Sequence, residues 1–189
     1  MKILLGAGST IYHLANILAK RLGDENVHFK IYTHNLGSLK QLVDPKINFK
    51  HLTVYTPAGK IDPVTYTIVG EDNEIYTGNT IDFIIQGTSC IHDGNLYIES
   101  REEKNRKQTI LKECRGKKLL LLTKHEFCDS PLKNISPYGR VEDYDFIILP
   151  KGNTNPGVQK RYNRFLEQYE NVVEAEIISW NYLILRVQQ

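Results

Sequence analysis

The first 22 residues, MKILLGAGSTIYHLANILAKRL, combine a short apolar run, a turn with two glycines and an apolar pattern of helical period. The pattern predicts a helix over residues 9–22 whose apolar face consists of Ile11, Leu14, Ala15, Leu18 and Leu22. A strand that passes through a glycine-rich turn directly into a helix is typical of α/β proteins, and it places backbone N–H groups where an anion could bind.

Short runs that are almost entirely apolar recur along the chain, as expected of strands that are covered on both faces of a parallel sheet. They occupy residues 2–5, 28–33, 81–86, 117–122 and 144–149. Helical patterns separate them at residues 9–22, 35–43 and 100–114, and a further helix begins after Asn155, with Pro156 in its first position. The alternation predicts a Rossmann-like α/β fold, with a mostly parallel sheet and helices on both faces.

Residues 47–78 interrupt this alternation. The segment KINFKHLTVY predicts a strand, and the turn-rich stretch that follows predicts a loop or a small β insertion. The last segment, IISWNYLILRVQQ, predicts a strand at the C-terminal end. We expect its Trp180 in the core or in a subunit interface rather than in a ligand site.

Composition restricts the class of protein. The 189 residues are 41% apolar, which predicts one compact domain over residues 1–189. The net charge of +2 predicts no direct nucleic-acid binding by this chain. The absence of a signal-peptide pattern and of a long apolar run predicts a cytoplasmic protein that does not enter a membrane.

Cys90, Cys114 and Cys128 form no paired motif, which is consistent with reduced thiols, and we assign them no catalytic role.

Small polar residues follow four of the predicted strands, at the edge where open α/β sheets bind ligands. They are the segments GAGST at 6–10, THN at 33–35, GTSC at 87–90 and TKHE at 123–126. Glycines that admit backbone N–H groups, hydroxyl groups and a helix N-terminus together favour an anion site. The alternative is that residues 6–10 form only a well-capped turn before a helix.

This sequence lacks residues that nucleotide-binding sites require, and their absence narrows the choice of anion. A dinucleotide site requires G-x-G-x-x-G and an acidic residue after the second strand, but here Ile11 replaces the third glycine and the second strand ends in Thr33-His34-Asn35. An ATP-binding P-loop requires a lysine that does not follow Gly8. A monophosphate remains the best candidate.

The helix at 100–114 supplies two further candidates. Ser100 and Glu103 form a capping box, which fixes where the helix begins. Glu103 and Lys107 then extend the apolar face, so the Lys107 ammonium is expected to point inward toward a phosphate, with Glu103 left for a sugar hydroxyl. The alternative is that Glu103 and Lys107 form only a solvent-exposed ion pair, four residues apart on the helix surface.

Five segments together resemble, in order and spacing, the C-terminal sensor domain of DeoR-type sugar-responsive repressors, from about residue 3 to about residue 175. They are LLGAGSTIYHLANILAKRL, IYTHNLGSLKQL, IDFIIQGTSCIHDGNLYIESREEKNRKQTIL, KKLLLLTKHEFCDSP and YDFIILPKG. The resemblance implies a fold similar to that of ribose-5-phosphate isomerase, binding of a phosphorylated sugar or related metabolite, self-association, and signalling to an N-terminal winged helix-turn-helix.

Carried over by position, the resemblance implies ligand-binding roles for several of the residues already singled out. Gly8, Ser9 and Thr10 match the family's Gly-Thr-Thr phosphate turn. Thr33 and Gly87 match the first residues of its Thr-Asn-Ser and Gly-Ala-Asp motifs, and Glu103 and Lys107 match its Glu and Lys on the following helix. The candidate ligand-binding residues are therefore Gly6, Gly8, Ser9, Thr10, Thr33, His34, Asn35, Gly87, Thr88, Ser89, Glu103, Lys107 and Lys124.

This sequence departs from the family motifs at three of the four loops, namely at His34-Asn35, at Thr88-Ser89 and at residues 123–126, so the sugar stays unidentified. Because the sequence begins at the first strand of the sensor, we expect no N-terminal DNA-binding domain, as in a truncated repressor or a stand-alone sensor. An isomerase-like enzyme is the alternative function. It is disfavoured because the isomerases carry Asp-Gly-Ala-Asp-Glu where this chain has QGTSC, and Asp93 before Gly94 is more typical of a turn than of a catalytic base.

The remaining reactive residues form no recognised pattern. The spacing of Cys90, His92, His125 and Cys128 matches no zinc site, and nothing in the order of Ser89, His125 and Glu126 supports a hydrolytic triad. We therefore expect no metal, no cofactor and no catalytic residue.

Overall fold

The computed structural model describes residues 1–21, 27–46, 49–70, 74–77, 80–152 and 155–188. Thirteen strands lie within these ranges: β1 (Lys2–Leu5), β2 (Phe29–Thr33), β3 (Leu52–Tyr55), β4 (Lys60–Asp62), β5 (Thr67–Val69), β6 (Thr80–Gln86), β7 (Cys90–His92), β8 (Asn95–Tyr97), β9 (Arg115–Leu121), β10 (Gly139–Arg140), β11 (Phe146–Pro150), β12 (Val173–Ile178) and β13 (Tyr182–Val187). The five strands predicted for the parallel sheet are confirmed as β1, β2, β6, β9 and β11.

The described residues contain five α-helices: α1 (Ser9–Arg21), α2 (Leu36–Leu42), α3 (Glu74–Thr77), α4 (Arg101–Glu113) and α5 (Pro156–Gln168). The predicted helix starts are confirmed by their N-caps, but the predicted capping box is only half formed, because the Glu103 carboxylate is buried and makes no hydrogen bond back to the cap. The Ser100 hydroxyl accepts from the Glu103 N–H at 3.3 Å, and Asn155 Oδ1 accepts from the N–H of Gly157 at 2.9 Å. Leu22, predicted as the last apolar residue of the first helix, lies outside the described residues.

Eight strands form the central sheet in the order β12-β13-β11-β9-β6-β1-β2-β3. The six strands from β11 to β3 run parallel, and β13 and β12 add an antiparallel edge. Alternate residues of β1 point to opposite faces: Ile3 and Leu5 pack with Ile11 of α1, whereas Leu4 packs with Ile110 of α4. Helices thus cover both faces, and the predicted α/β class is confirmed.

The interval 47–78 differs in part from its prediction. Ile47 and Asn48 lie outside the described residues, residues Phe49–His51 form a 3₁₀ helix, and β3 then joins the central sheet beside β2. The inserted β structure is the antiparallel pair β4 and β5. The strand predicted in KINFKHLTVY is confirmed as β3, but a strand of only four residues does not indicate from its sequence that it joins the central sheet.

The C-terminal segment is a hairpin rather than one strand. β12 and β13 pair antiparallel, and the turn between them closes with a hydrogen bond from the Ser179 N–H to the Tyr182 carbonyl at 2.9 Å. Trp180 lies in this turn and is 88% exposed. Its expected place in the core is therefore wrong, because a turn directs its side chains outward.

Candidate functional site

A cavity of about 360 Å³ opens at the carboxyl ends of β1, β6 and β9. The chain passes from β1 outward to β2 and β3, and then crosses back to place β6 on the other side of β1. The loops after β1 and β6 therefore diverge at this point, which is where open α/β sheets form a ligand crevice. The cavity is lined by Ala7, Gly8, Ser9, Thr10, Ile11, Gly87, Thr88, Ser89, Ile98, Thr123, His125 and Glu126.

The turn between β1 and α1 forms one wall. Gly8 has a φ of +119°, a left-handed conformation that strains any other residue. The first helical hydrogen bond runs from the Tyr12 N–H to the Gly8 carbonyl at 3.0 Å. The N–H groups of Ser9, Thr10 and Ile11 consequently precede the helical ladder, and the first turn carries no acidic side chain. This wall presents partial positive charge to the cavity.

The loop after β2 supports that turn from behind. Asn35 caps α2 by accepting from the Ser38 N–H at 3.2 Å, and its amide nitrogen donates to the Gly8 carbonyl at 3.2 Å. The Thr33 hydroxyl accepts from the Asn35 N–H at 3.1 Å. Thr33 and Asn35 are buried and belong to the support of the turn rather than to the cavity lining.

The loop after β6 contributes hydroxyl groups whose hydrogens are already engaged. Thr88 Oγ1 donates to the Tyr97 carbonyl at 2.9 Å, and Ser89 Oγ donates to Glu99 Oε2 at 2.6 Å. The lone pairs of both hydroxyls remain able to accept hydrogen bonds. This wall is therefore an acceptor surface, in contrast to the donor surface at the start of α1.

The ammonium of Lys107 is fully buried directly behind this loop. It donates to the Gly87 carbonyl at 2.9 Å, and Tyr138 donates to the same oxygen at 3.2 Å. Glu103 Oε1 lies 3.5 Å from the ammonium, and the carboxylate is 2% exposed. The prediction that this face of α4 points inward is confirmed. The charged pair lies behind Gly87 and is not part of the cavity lining.

His34 lies beside Glu103 and, together with Lys107, forms a buried polar cluster. Its Nδ1 lies 3.2 Å from the Tyr76 hydroxyl and its Nε2 lies 3.7 Å from Glu103 Oε1. Burial lowers the pKa of His34, so the ring is neutral at pH 7. Burial alone would raise the pKa of Glu103, but His34 and Lys107 outweigh it and hold that pKa at about 2. The strand β5 seals the cluster, since the Ile68 N–H donates to the His34 carbonyl at 2.8 Å.

The loop after β9 forms the third wall. Glu126 accepts from the N–H and the hydroxyl of Thr123, at 2.9 and 3.0 Å, so its carboxylate is held against its own loop. The exposed ring of His125 lies at the mouth. Lys124 has a φ of +77° and turns away: its ammonium donates to the Lys151 carbonyl at 2.6 Å and lies 4.3 Å from the centre of the Tyr162 ring. Burial lowers the pKa of Lys124.

Comparison with known families decides what kind of domain carries this cavity. Residues 1–150 match the family described as the DeoR C terminal sensor domain. The chain belongs to this family. The family predicted from the sequence is thereby confirmed, and no curated protein matches the chain.

Ribose-5-phosphate isomerases are among the solved structures similar to this DeoR-type sensor domain. One, in complex with phospho-erythronic acid, shares 12% identity with a TM-score of 0.47 over 99% of this chain and 70% of that chain. Isomerase A from Methanocaldococcus jannaschii shares 10% identity with a TM-score of 0.47 over 100% and 72%. The Plasmodium falciparum isomerase shares 15% identity with a TM-score of 0.41 over 100% and 71%.

The cavity of the sensor domain contains about half of the predicted binding residues. Those in its lining are Gly8, Ser9, Thr10, Gly87, Thr88 and Ser89. Those outside the lining are Gly6, Thr33, His34, Asn35, Glu103, Lys107 and Lys124. The other lining residues, which were not named as candidates, are Ala7, Ile11, Ile98, Thr123, His125 and Glu126. The loop at 123–126 follows a parallel strand, so the sequence did indicate its place in the site. No sequence pattern indicated Ile98.

The described part of the sensor domain contains neither a metal-binding group of side chains nor a helix that could span a membrane. No three His, Cys, Asp or Glu side chains within it are grouped so that they could hold a metal ion. Of the helices it contains, none has the length and apolarity needed to cross a membrane.

Proposed function

We propose that this chain is the effector-sensing domain of a DeoR-type transcriptional regulator and that its effector is a phosphorylated sugar or a similar phosphometabolite. The observation that carries the proposal is the division of one cavity into a donor wall, at the start of α1, and an acceptor wall, at residues 87–89. A sugar phosphate has the complementary division, since its phosphate accepts hydrogen bonds and its hydroxyl groups donate them.

The phosphate would bind at the start of α1. The N–H groups of Ser9, Thr10 and Ile11 are outside the helical ladder, and the hydroxyls of Ser9 and Thr10 can add two further donors. Gly8 allows the backbone to turn without a side chain that would fill the site, because its left-handed φ is combined with open space around the position of a Cβ.

The sugar would extend toward the loops at 87–89 and 123–126. Its hydroxyl groups can donate to the oxygen atoms of Thr88 and Ser89, and to the lone pairs of Glu126 that Thr123 does not occupy. Lys107 would act on the ligand through Gly87, whose carbonyl it fixes, and its charge would add to the positive potential behind the loop.

Titration calorimetry of the chain with inorganic phosphate, ribose 5-phosphate, glucose 6-phosphate and the two unphosphorylated sugars tests this function. We expect heat from the phosphorylated compounds and none from the free sugars. Ser9→Asp should abolish binding, because it places a carboxylate where the phosphate would lie, while an acidic residue in the first helical turn leaves the fold intact or more stable.

Asn163→Asp is the matched control, since it adds the same charge on the exposed side of α5, away from the cavity. It should bind like the parent. Binding that is equal in Ser9→Asp and the parent would place the phosphate elsewhere, and equal binding of free and phosphorylated sugars would refute the phosphate requirement.

An isomerase-like enzyme is the second candidate, and Glu126 favours it by placing a carboxylate in the cavity. A catalytic base must reach the proton that it removes, however, and both oxygens of Glu126 are held by Thr123. Asp93 has a φ of 46° in the tight turn between β7 and β8, and it is not in the cavity lining. Aldose-ketose interconversion of any sugar phosphate that binds, lost in Glu126→Gln, would support the enzyme.

A further inference from the structure

Two of the three cysteines flank a backbone bridge between the loops that line the cavity. Ile91 and Phe127 are bridge partners: the Ile91 N–H donates to the Glu126 carbonyl at 2.6 Å, and the Cys128 N–H donates to the Ile91 carbonyl at 2.9 Å. Cys90 precedes this bridge on one segment and Cys128 follows it on the other. The Cys90 thiol donates to the Ser130 carbonyl at 3.7 Å, the Cys128 thiol donates to the Glu126 carbonyl at 3.3 Å, and neither cysteine is in a disulfide.

The two thiols have different surroundings. Cys90 is fully buried, and burial, followed by the contact with Cys128, raises its pKa. Cys128 is partly exposed and lines a small separate cavity of about 40 Å³, together with Arg161 and Arg164. The guanidinium groups of Arg161 and Arg164 pair with Asp129 at 3.5 and 3.1 Å.

We propose that Cys128 and Cys90 form a peroxide-sensitive dithiol pair that closes into a disulfide between the loop after β6 and the loop after β9. The Cys128 thiolate attacks one oxygen of hydrogen peroxide, the O–O bond breaks, and hydroxide leaves, which gives a sulfenic acid on Cys128. The Cys90 sulfur then attacks the Cys128 sulfur, the S–O bond breaks, and the hydroxyl leaves as water with the Cys90 proton. Two thiols are oxidised while one peroxide is reduced to two molecules of water.

The disulfide would connect directly to the effector site. Cys90 follows Ser89 in the sequence, and Cys128 lies two residues after Glu126, so the covalent bond would join the loop at 87–89 to the loop at 123–126. A cross-link fixes the distance between two segments that are otherwise joined only by backbone hydrogen bonds. The oxidation state of the pair would therefore set how far these two walls of the cavity can separate.

The test uses the full chain, freed of small thiols and exposed to a small excess of hydrogen peroxide. Alkylation with N-ethylmaleimide in denaturant should then modify one cysteine instead of three, and a non-reducing peptide map should show Cys90 linked to Cys128. Dithiothreitol should restore all three thiols. An unchanged thiol count, a link that includes Cys114, or a link only between two chains would overturn the proposal.

Three variants separate the roles of the cysteines. In Cys90→Ala the oxidation should stop at the sulfenic acid of Cys128, which dimedone labels, and in Cys128→Ala the Cys90 thiol should survive the same treatment. Cys114→Ala is the matched control, because Cys114 is equally buried but has no cysteine neighbour among the described residues, and it should form the disulfide like the parent. Loss of Cys90 thiol in Cys128→Ala would contradict the proposed order of attack.

Discussion

The ammonium of Lys107 donates to the carbonyl oxygen of Gly87 at 2.9 Å, and both groups are buried. Because Glu103 lies 3.5 Å from the same ammonium, the first residue after β6 is tied to a compensated pair of charges on α4. A loop that forms a cavity wall is thus held by an interaction whose removal leaves an uncompensated charge inside the protein.

Lys107→Met should therefore destabilise the fold strongly. Breaking one side of a buried ion pair costs about 3–5 kcal/mol, because the remaining charge of Glu103 stays buried without its partner. Urea unfolding at pH 7 measures the change. Lys112→Met on the exposed side of the same helix should change stability by less than about 0.5 kcal/mol. The double variant Glu103→Gln/Lys107→Met should recover part of the loss. Equal stabilities of the two lysine variants would contradict this account.

Local patterns predicted the parts of the fold that depend on local chemistry. The five parallel strands, the caps at Ser100 and Asn155 and the inward face of α4 all follow from residues that are near one another in sequence. The hairpin at the C-terminus did not, because IISWNYLILRVQQ carries no glycine or proline to mark its turn. Within that turn the Ser179 hydroxyl donates to Asn181 Oδ1 at 2.8 Å, in addition to the backbone hydrogen bond that closes it.

The fold should lose stability as the pH falls below about 6.5, and His34 should account for part of the loss. Burial lowers the folded pKa of His34 below 6.5, so the unfolded chain takes up the proton first. Stability from the neutral ring is full above pH 6.5 and declines as the pH falls. A second decline is expected between pH 4.5 and about 2, where Glu103 is protonated in the unfolded chain before it is protonated in the folded one.

Urea unfolding at a series of pH values checks the assignment to His34. His34→Gln should lower the slope of stability against pH below 6.5 by up to about 1.4 kcal/mol per pH unit, the value for one proton. His13→Gln is the control, since His13 lies on the exposed side of α1, and it should keep the slope of the parent. An unchanged slope in His34→Gln would show that other groups cause the acid sensitivity.

Two asparagine caps of the same geometry allow stability and binding to be separated. Asn35 and Asn155 both cap a helix at φ −85° and ψ 113°, but only Asn35 also donates to the Gly8 carbonyl. Each change to alanine should cost about 1–2 kcal/mol of stability. Asn35→Ala alone should also weaken inorganic phosphate binding, because the turn before α1 loses its support. Calorimetry of both variants checks this, and equal phosphate affinities would mean that the turn keeps its shape without Asn35.

The division of the site into lining and supporting residues could not be predicted from the loops alone. Thr33, His34 and Asn35 end a strand at the correct edge, but β5 pairs with this loop and covers it, and that contact joins residues more than 30 positions apart. Lys124 has the charge expected of a phosphate ligand, yet its left-handed backbone directs the side chain toward Tyr162. Long-range packing decided both cases, and no local pattern records it.

The carboxylate of Glu126 should affect inorganic phosphate and sugar phosphates in opposite ways. It lies in the lining of the same cavity as the start of α1, so its negative charge opposes a bound dianion. Glu126→Gln should therefore tighten inorganic phosphate binding by about threefold to tenfold, equivalent to about 1 kcal/mol of electrostatic repulsion. Glu167→Gln, the same change on the exposed side of α5, should leave phosphate affinity unaltered.

The sugar part of the ligand should respond differently, because a carboxylate is a stronger acceptor for hydroxyl groups than an amide. Relative to the parent, Glu126→Gln should consequently gain less affinity for a sugar phosphate than for inorganic phosphate. Calorimetry with both ligands on the parent and the two variants gives the ratio directly. A gain that is equal for the two ligands would show that Glu126 contacts no sugar hydroxyl. A loss of affinity for inorganic phosphate would place the anion away from the start of α1, because a carboxylate that opposes the anion cannot also be required for its binding.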